Sequence, residues 1–326
     1  MSPTGVTVET ALSDVRIHEA QLAQGTIRYR ELGSGEPIVL VHGLLVNAQL
    51  WRDVAPRLAC DFRVIVPDWP LGSHELAMNP GTDLSPLGLA AIVADFMTEL
   101  RLDGVTLVGN DTGGAICQLV AVHHPERLAR LALTPCDAYE NFLPPAFRPL
   151  QVLARIPGAL FLVAQSLRSR AARRLPLAYG WLAKRGIPDE MSDAWLAPAL
   201  SSAAIRRDVT AVLKGISSRY TLEAAARFGQ FDKPVLIAWA PEDRFFKLRF
   251  GERLAEAFPA ARLELIEDSY TFAPIDQPER TAELLAAFMA EPQATSRPSS
   301  VGNSTSESMI SPAPASRSAA PSPSGT

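Results

Sequence analysis

Val105-Thr-Leu-Val-Gly-Asn-Asp-Thr-Gly-Gly-Ala115 decides the reading of this chain. An apolar run rich in β-branched and leucine side chains ends at Gly109-Asn110-Asp111-Thr112-Gly113 and passes directly into a helical pattern. A buried strand feeding a sharp turn and then a helix presents the turn residue above the sheet, here an aspartate where serine is commoner. Glycines on both sides remove the side chains that would clash in so tight a bend. The following helix N-terminus favours negative charge, so Asp111 is expected to be ionised at neutral pH. The competing account makes Asn110-Asp111 an ordinary helix cap.

The surrounding sequence supports the reactive-turn account. Val15–Leu22 and Gly25–Leu32 read as an antiparallel pair joined at Ala23-Gln24. Pro37–Val41, Phe62–Pro67, Val105–Gly109 and Leu128–Leu133 are short apolar runs of the kind buried on both faces of a sheet. Helical patterns alternate with them, one through Leu58, then Pro86–Leu102 and Gly113–His124. Such alternation predicts an α/β architecture, a mostly parallel sheet flanked by helices. From about Asn141 to Ala225 the rhythm breaks into Leu-, Ala-, Arg- and Pro-rich helical spacings. It resumes with Pro234–Trp239, Arg249–Phe258, Arg262–Ile266 and Glu279–Met289. The expected organisation is a core of residues 1–140 and 226–291, with 141–225 inserted as a helical lid. Residues 292–326, dominated by Ser, Pro and Ala, are expected to be a disordered tail.

Composition limits the function classes. The chain has 326 residues, is 47% hydrophobic and carries a net charge of −4, which leaves no electrostatic footprint for nucleic acid. Its three cysteines, Cys60, Cys117 and Cys136, have no metal-ligand spacing, and a reduced compartment is expected. No secretory signal is read at the N-terminus, and the apolar stretch Ile156–Leu167 is too short to span a bilayer. The expectation is a cytoplasmic protein with a small-molecule substrate, no cofactor, no metal and no membrane span, its oligomeric state left open. The cluster Arg168-Ser-Arg-Ala-Ala-Arg-Arg174, with Lys184-Arg185 and Arg206-Arg207, makes the insertion basic. Solvated helix faces account for most of it, an anionic substrate or membrane surface being the lesser reading.

Two further segments carry chemistry. His42-Gly43-Leu44 follows the Ile38–Val41 run, and the backbone N–H groups of Leu44 and Thr112 would form an oxyanion hole. His42 itself reads as a hydrogen-bonding residue of that loop. Ala240-Pro-Glu-Asp243 follows the Val235–Trp239 run, which puts a carboxylate, Asp243 ahead of Glu242, at another strand end.

This order of a His-Gly loop, a Gly-x-Asp-x-Gly turn, a helical insertion and a late aspartate resembles the α/β-hydrolase fold. The aspartate turn resembles its haloalkane dehalogenase and epoxide hydrolase branch. Val66-Pro-Asp68 and Phe272-Ala-Pro-Ile-Asp-Gln-Pro-Glu279 fit the same pattern, which runs from about residue 12 to 290. The resemblance implies that Asp111 attacks carbon to give an alkyl ester, cleared by water that a histidine activates and Asp243 orients. It also implies lid tyrosines that protonate an epoxide oxygen, for which Tyr179 and Tyr220 are the candidates.

The chain departs from that pattern in two places. All five histidines lie at or before position 124, and Thr271 of Asp268-Ser-Tyr-Thr-Phe272 stands where the family places its histidine. Threonine is no base near neutral pH. Thr112 also replaces the tryptophan that grips halide in dehalogenases, which puts epoxide slightly ahead of halide. His74, Asp137 and Glu140 are the candidates for a substitute base or acid, with a surface position the simpler reading of His74. Hydrolysis of an epoxide, haloalkane or ester is therefore expected alongside two alternatives. One is elimination, isomerisation or ring closure, in which no ester needs clearing. The other is a ligand-binding member of the fold that has lost turnover.

Overall fold

The computed structural model describes residues 11–291. Eight strands build one sheet: β1 (Ile17–Leu22), β2 (Gly25–Leu32), β3 (Pro37–Val41), β4 (Arg63–Pro67), β5 (Val105–Asp111), β6 (Leu128–Cys136), β7 (Val235–Trp239) and β8 (Ala261–Leu265). Their spatial order is β1-β2-β4-β3-β5-β6-β7-β8. β1 pairs antiparallel with β2 and β2 with β4, and every later pairing is parallel. The burial of each strand follows from its place. β3, β5, β6 and β7 lie inside the sheet and their apolar runs are covered on both faces, whereas the edge strands β1 and β8 alternate or stay half-exposed.

Twelve helices connect and cover the sheet: α1 (Ala55–Leu58), α2 (Pro86–Glu99), α3 (Thr112–His123), α4 (Arg148–Leu153), α5 (Ala159–Ser166), α6 (Arg170–Arg173), α7 (Asp189–Ser201), α8 (Ala203–Gly215), α9 (Ser218–Ala225), α10 (Leu248–Ala257), α11 (Ala273–Asp276) and α12 (Pro278–Ala290). α1 packs on α12, and α2 packs on α3. The parallel sheet flanked by helices is the architecture read from the sequence. One element differs. The helix expected through Leu58 is a 3₁₀ turn, Ala48–Trp51, followed by the single turn α1. The Asn47 side chain caps Gln49 N–H, and Pro56 restarts the helix after the 3₁₀ turn ends.

Between β6 and β7 the described residues hold α4 to α9 and no strand. Buried hydrogen bonds help fasten this helical segment to the core. Phe272 N–H donates to Leu182 O, and buried Asp276 accepts from Lys184 N–H and Arg185 N–H, each at 2.8 Å. On α8, Asp208 accepts from Met78 N–H at 2.8 Å. Tyr179 donates its hydroxyl to Leu45 O. The Ser/Pro/Ala-rich segment expected to be disordered lies outside the described residues. Among the described residues no helix is long and apolar enough to cross a membrane.

Candidate functional site

β5 delivers Asp111 to the head of α3 with φ +54° and ψ −133°, a left-handed backbone that a non-glycine residue rarely adopts. Its carboxyl makes no helix-capping bond. Oδ2 instead accepts Leu44 N–H at 3.2 Å, and the adjacent Thr112 N–H favours the charged carboxyl. Both expected oxyanion donors therefore converge on the carboxyl of Asp111 itself. Two glycines make the approach possible. A Cβ on Gly43 would lie 2.1 Å from Asp111 Oδ2, and one on Gly113 would lie 2.4 Å from His42 O. Asn110 anchors the turn from behind, its Nδ2 donating to Thr134 Oγ1, Pro135 O and Thr271 O.

Asp111 forms part of the wall of a cavity of about 130 Å³. The remaining wall is almost wholly apolar, with Leu143, Phe147, Leu150, Val163, Leu167 and Leu177 among it, and it comes largely from the helical segment. Burial in this setting outweighs the N–H bonds and pushes the Asp111 pKa up to about 7. The expectation of a fully ionised carboxylate at neutral pH is corrected accordingly: desolvation dominates over the favourable helix end.

Asp243 is fully buried after β7. Its Oδ1 accepts Phe245 N–H and Phe246 N–H at 2.7 and 2.8 Å, and Oδ2 accepts the Thr271 hydroxyl at 2.9 Å. Burial raises its pKa to about 6, and Asp243 in turn raises that of Asp111. Thr271 thus bonds to Asp243, the carboxylate expected from the sequence at the end of β7. Asp137 is also fully buried, accepting Leu143 N–H at 2.8 Å and the Thr112 hydroxyl at 3.0 Å. Burial first, then the neighbouring Asp111 charge, holds its carboxyl well above the usual carboxylate range. Both oxygens are engaged and Asp137 is not on the cavity wall, so it braces Thr112 instead of facing a water there.

The other candidate bases lie elsewhere. His74 is buried, not at the surface: its Nδ1 accepts Gly72 N–H and its Nε2 faces Asp208 Oδ2 at 3.2 Å. That pair ties α8 to the loop after β4 and stands off the cavity wall. Glu140 is exposed and bound through both oxygens to Arg253 at 2.9 Å. His42 is the loop hydrogen-bonder expected of it. Nδ1 lies 2.9 Å from Gly43 O and Nε2 accepts Trp69 N–H at 2.9 Å, a neutral ring whose burial lowers its pKa to about 4. Of the tyrosines, Tyr179 reaches the cavity wall, while Tyr220 lies under the Arg219 guanidinium away from it. Among the described residues no group of three or more His, Cys, Asp or Glu stands close enough to hold a metal ion.

The sequence reading missed the Asp208 anchor, the Thr112–Asp137 bond and the apolar wall supplied by Leu143 to Leu182. Only the Thr271–Asp243 bond had a sequence signal, a hydroxyl at the histidine position.

A family model described as the alpha/beta hydrolase fold matches residues 36–278. Haloalkane dehalogenase 2 of Mycobacterium tuberculosis (strain ATCC 25618 / H37Rv) is 27% identical over 273 residues, covering 80% of this chain and 90% of that protein. A 2-hydroxy-6-oxo-6-phenylhexa-2,4-dienoate hydrolase of Comamonas testosteroni is 24% identical over 283 residues, covering 85% of this chain and 95% of that protein. The crystal structure of an alpha/beta hydrolase fold protein from Burkholderia ambifaria superposes with a TM-score of 0.71 at 23% identity, over 84% of this chain and 99% of that one. With three-quarters of its length inside the family pattern and named hydrolases among its relatives, this chain belongs to the alpha/beta hydrolase fold family.

Proposed function

We propose that this enzyme acts on a small or medium-sized apolar substrate and that the Asp111 carboxyl is its reacting group. The observation that carries the reading is a lone carboxyl in an apolar cavity wall, one of its oxygens gripped by backbone N–H. Residues 141–225 serve as the lid that closes this cavity. The route the geometry supports best is proton transfer by Asp111 in an elimination, isomerisation or ring closure. Hydrolysis through an ester needs a base to activate water, and Thr271 stands in that seat with its hydroxyl on Asp243. A carboxyl with a pKa near 7 takes up and releases a proton at neutral pH, which is the property such chemistry requires. Oδ2 stays on the Leu44 N–H while the other oxygen exchanges the proton.

A second reading rests on the same grip. With Oδ2 held, the free oxygen of Asp111 attacks carbon bearing halogen or an epoxide oxygen, the chemistry suggested by similarity to a haloalkane dehalogenase. Without an imidazole the resulting ester persists, because loss of such a base costs on the order of 10⁴ to 10⁶ in turnover.

The test is product analysis in heavy-oxygen water with haloalkanes, epoxides, activated esters and substrates carrying an acidic C–H beside a leaving group. The expected product carries no solvent oxygen, and Asp111→Asn lowers its rate by about 1,000-fold or more. Catalysed incorporation of solvent oxygen contradicts the proton-transfer route. Undiminished activity in Asp111→Asn rejects both readings.

A further inference from the structure

The helical segment also presents apolar and cationic side chains to solvent. Between residues 141 and 188 the chain has eight arginines and lysines and no aspartate or glutamate; five of them, Arg170, Arg173, Arg174, Lys184 and Arg185, pair with Asp189, Asp193, Glu242 or Asp268. Large apolar side chains stand out into solvent on the same stretch: Val152 is 61% exposed, Leu162 68% and Leu177 62%, with Ile156, Leu175 and Trp181 beside them in sequence. Arg148, Arg155 and Arg168 are exposed and make no ion pair among the described residues. α4 and α5 pack together, so Arg148, Val152 and Leu162 belong to one packed pair of helices, with Arg155 and Ile156 in the turn between them and Arg168 two residues after α5. Leu177 also lines the Asp111 cavity, which places the apolar patch at the rim of the candidate site.

We propose that this face docks on the surface of an anionic lipid bilayer. Exposed leucine and isoleucine interleaved with arginine is the pattern of segments that lie in a membrane interface, apolar groups entering the acyl boundary and guanidinium groups meeting the phosphates. Charge complementarity selects this occupant. A second copy of the chain would bring the same cationic face against itself, whereas an anionic bilayer offers both opposite charge and an apolar interior. Docking also puts the cavity rim against the phase in which an apolar substrate concentrates. That supply role rests on the function proposed above, while the docking itself does not.

The experiment is co-sedimentation of the full chain with vesicles of phosphatidylglycerol and phosphatidylcholine, against vesicles of phosphatidylcholine alone, at low and high salt. The wild type is expected to sediment with the anionic vesicles at low salt and to be released at high salt. Each arginine near such a surface strengthens binding about fivefold, so Arg155→Gln with Arg168→Gln weakens it about 25-fold. Leu162→Ser with Leu175→Ser weakens it by about tenfold or more, both residues lying off the cavity wall. Far-ultraviolet circular dichroism and thermal melts verify that the variants fold. Asp111→Asn is expected to sediment as the wild type does, which separates failure of docking from failure of the proposed chemistry. Wild-type protein left in the supernatant with anionic vesicles, or equal sedimentation of all variants, overturns the proposal. So does a concentration-dependent dimer on gel filtration that the leucine variants abolish.

Discussion

At Asp111 two local influences oppose one another. The helix end and two backbone N–H groups favour the anion, while burial in a hydrocarbon wall favours the acid, and burial prevails. The sign of the resulting pH dependence is fixed. A carboxyl whose folded pKa lies near 7, against an ordinary value of 3.8, is protonated in the folded state and ionised in the unfolded state between those values. The folded protein then binds the extra proton, so this group makes stability fall as pH rises from about 4 towards 7. Asp111→Asn removes that penalty, and thermal melts at pH 8 should show a protein more stable than wild type by up to about 4 kcal/mol. Activity that needs the carboxylate should rise through a midpoint near pH 7 and level off above it in a rate profile. Thr271 gives a second test at this scale. Thr271→Ala leaves Asp243 Oδ2 without its hydroxyl donor, and denaturant unfolding should report a loss of about 1–3 kcal/mol.

The elements set how closely these side chains meet. The strand–turn–helix of β5 and α3 was legible because a buried apolar run, a glycine-framed turn and a helical period follow one another without interruption. The antiparallel β1–β2 pair was equally legible, its turn falling at the residues expected. Contacts between distant segments were not. Asp137 reads as a free acid in sequence, yet Leu143 N–H and the Thr112 hydroxyl occupy it. His74 reads as a loop histidine, yet its partner Asp208 lies 134 positions away on α8. The His74–Asp208 pairing has no local period or spacing to announce it, since it forms only when α8 packs against the loop after β4, and the Thr112–Asp137 bond forms only when β5 and β6 lie side by side. The closest interlock is the β3 loop against the elbow. A methyl group on Gly43 would overlap Asp111 Oδ2, so Gly43→Ala should displace the carboxyl. Its activity should fall by about 100-fold or more, while melts show a stability loss of only about 1–3 kcal/mol.

On the scale of the whole molecule, the helical segment supplies most of the apolar wall around Asp111. Its anchors include apolar packing of Leu182, Met191 and Trp195 into the main core and buried polar contacts: Asp276 on the Lys184 and Arg185 N–H groups, Asp208 on Met78 N–H and His74, and the Tyr179 hydroxyl on Leu45 O. Asp208→Ala strips the buried acceptor from that junction and should cost about 2–4 kcal/mol in denaturant unfolding. Proteolysis should then cut first within residues 141–225. An epoxide traps a nucleophilic carboxylate covalently whether that group ordinarily takes up a proton or attacks carbon, so either route proposed for Asp111 yields an ester with an apolar epoxide held in the cavity. Peptide mapping by mass spectrometry after incubation with a series of apolar epoxides tests this account most directly. It predicts a stable ester on Asp111, formed faster as pH rises through 7 and absent from Asp111→Asn. Labelling confined to other residues, or none at any pH while the same epoxides bind saturably, would contradict it.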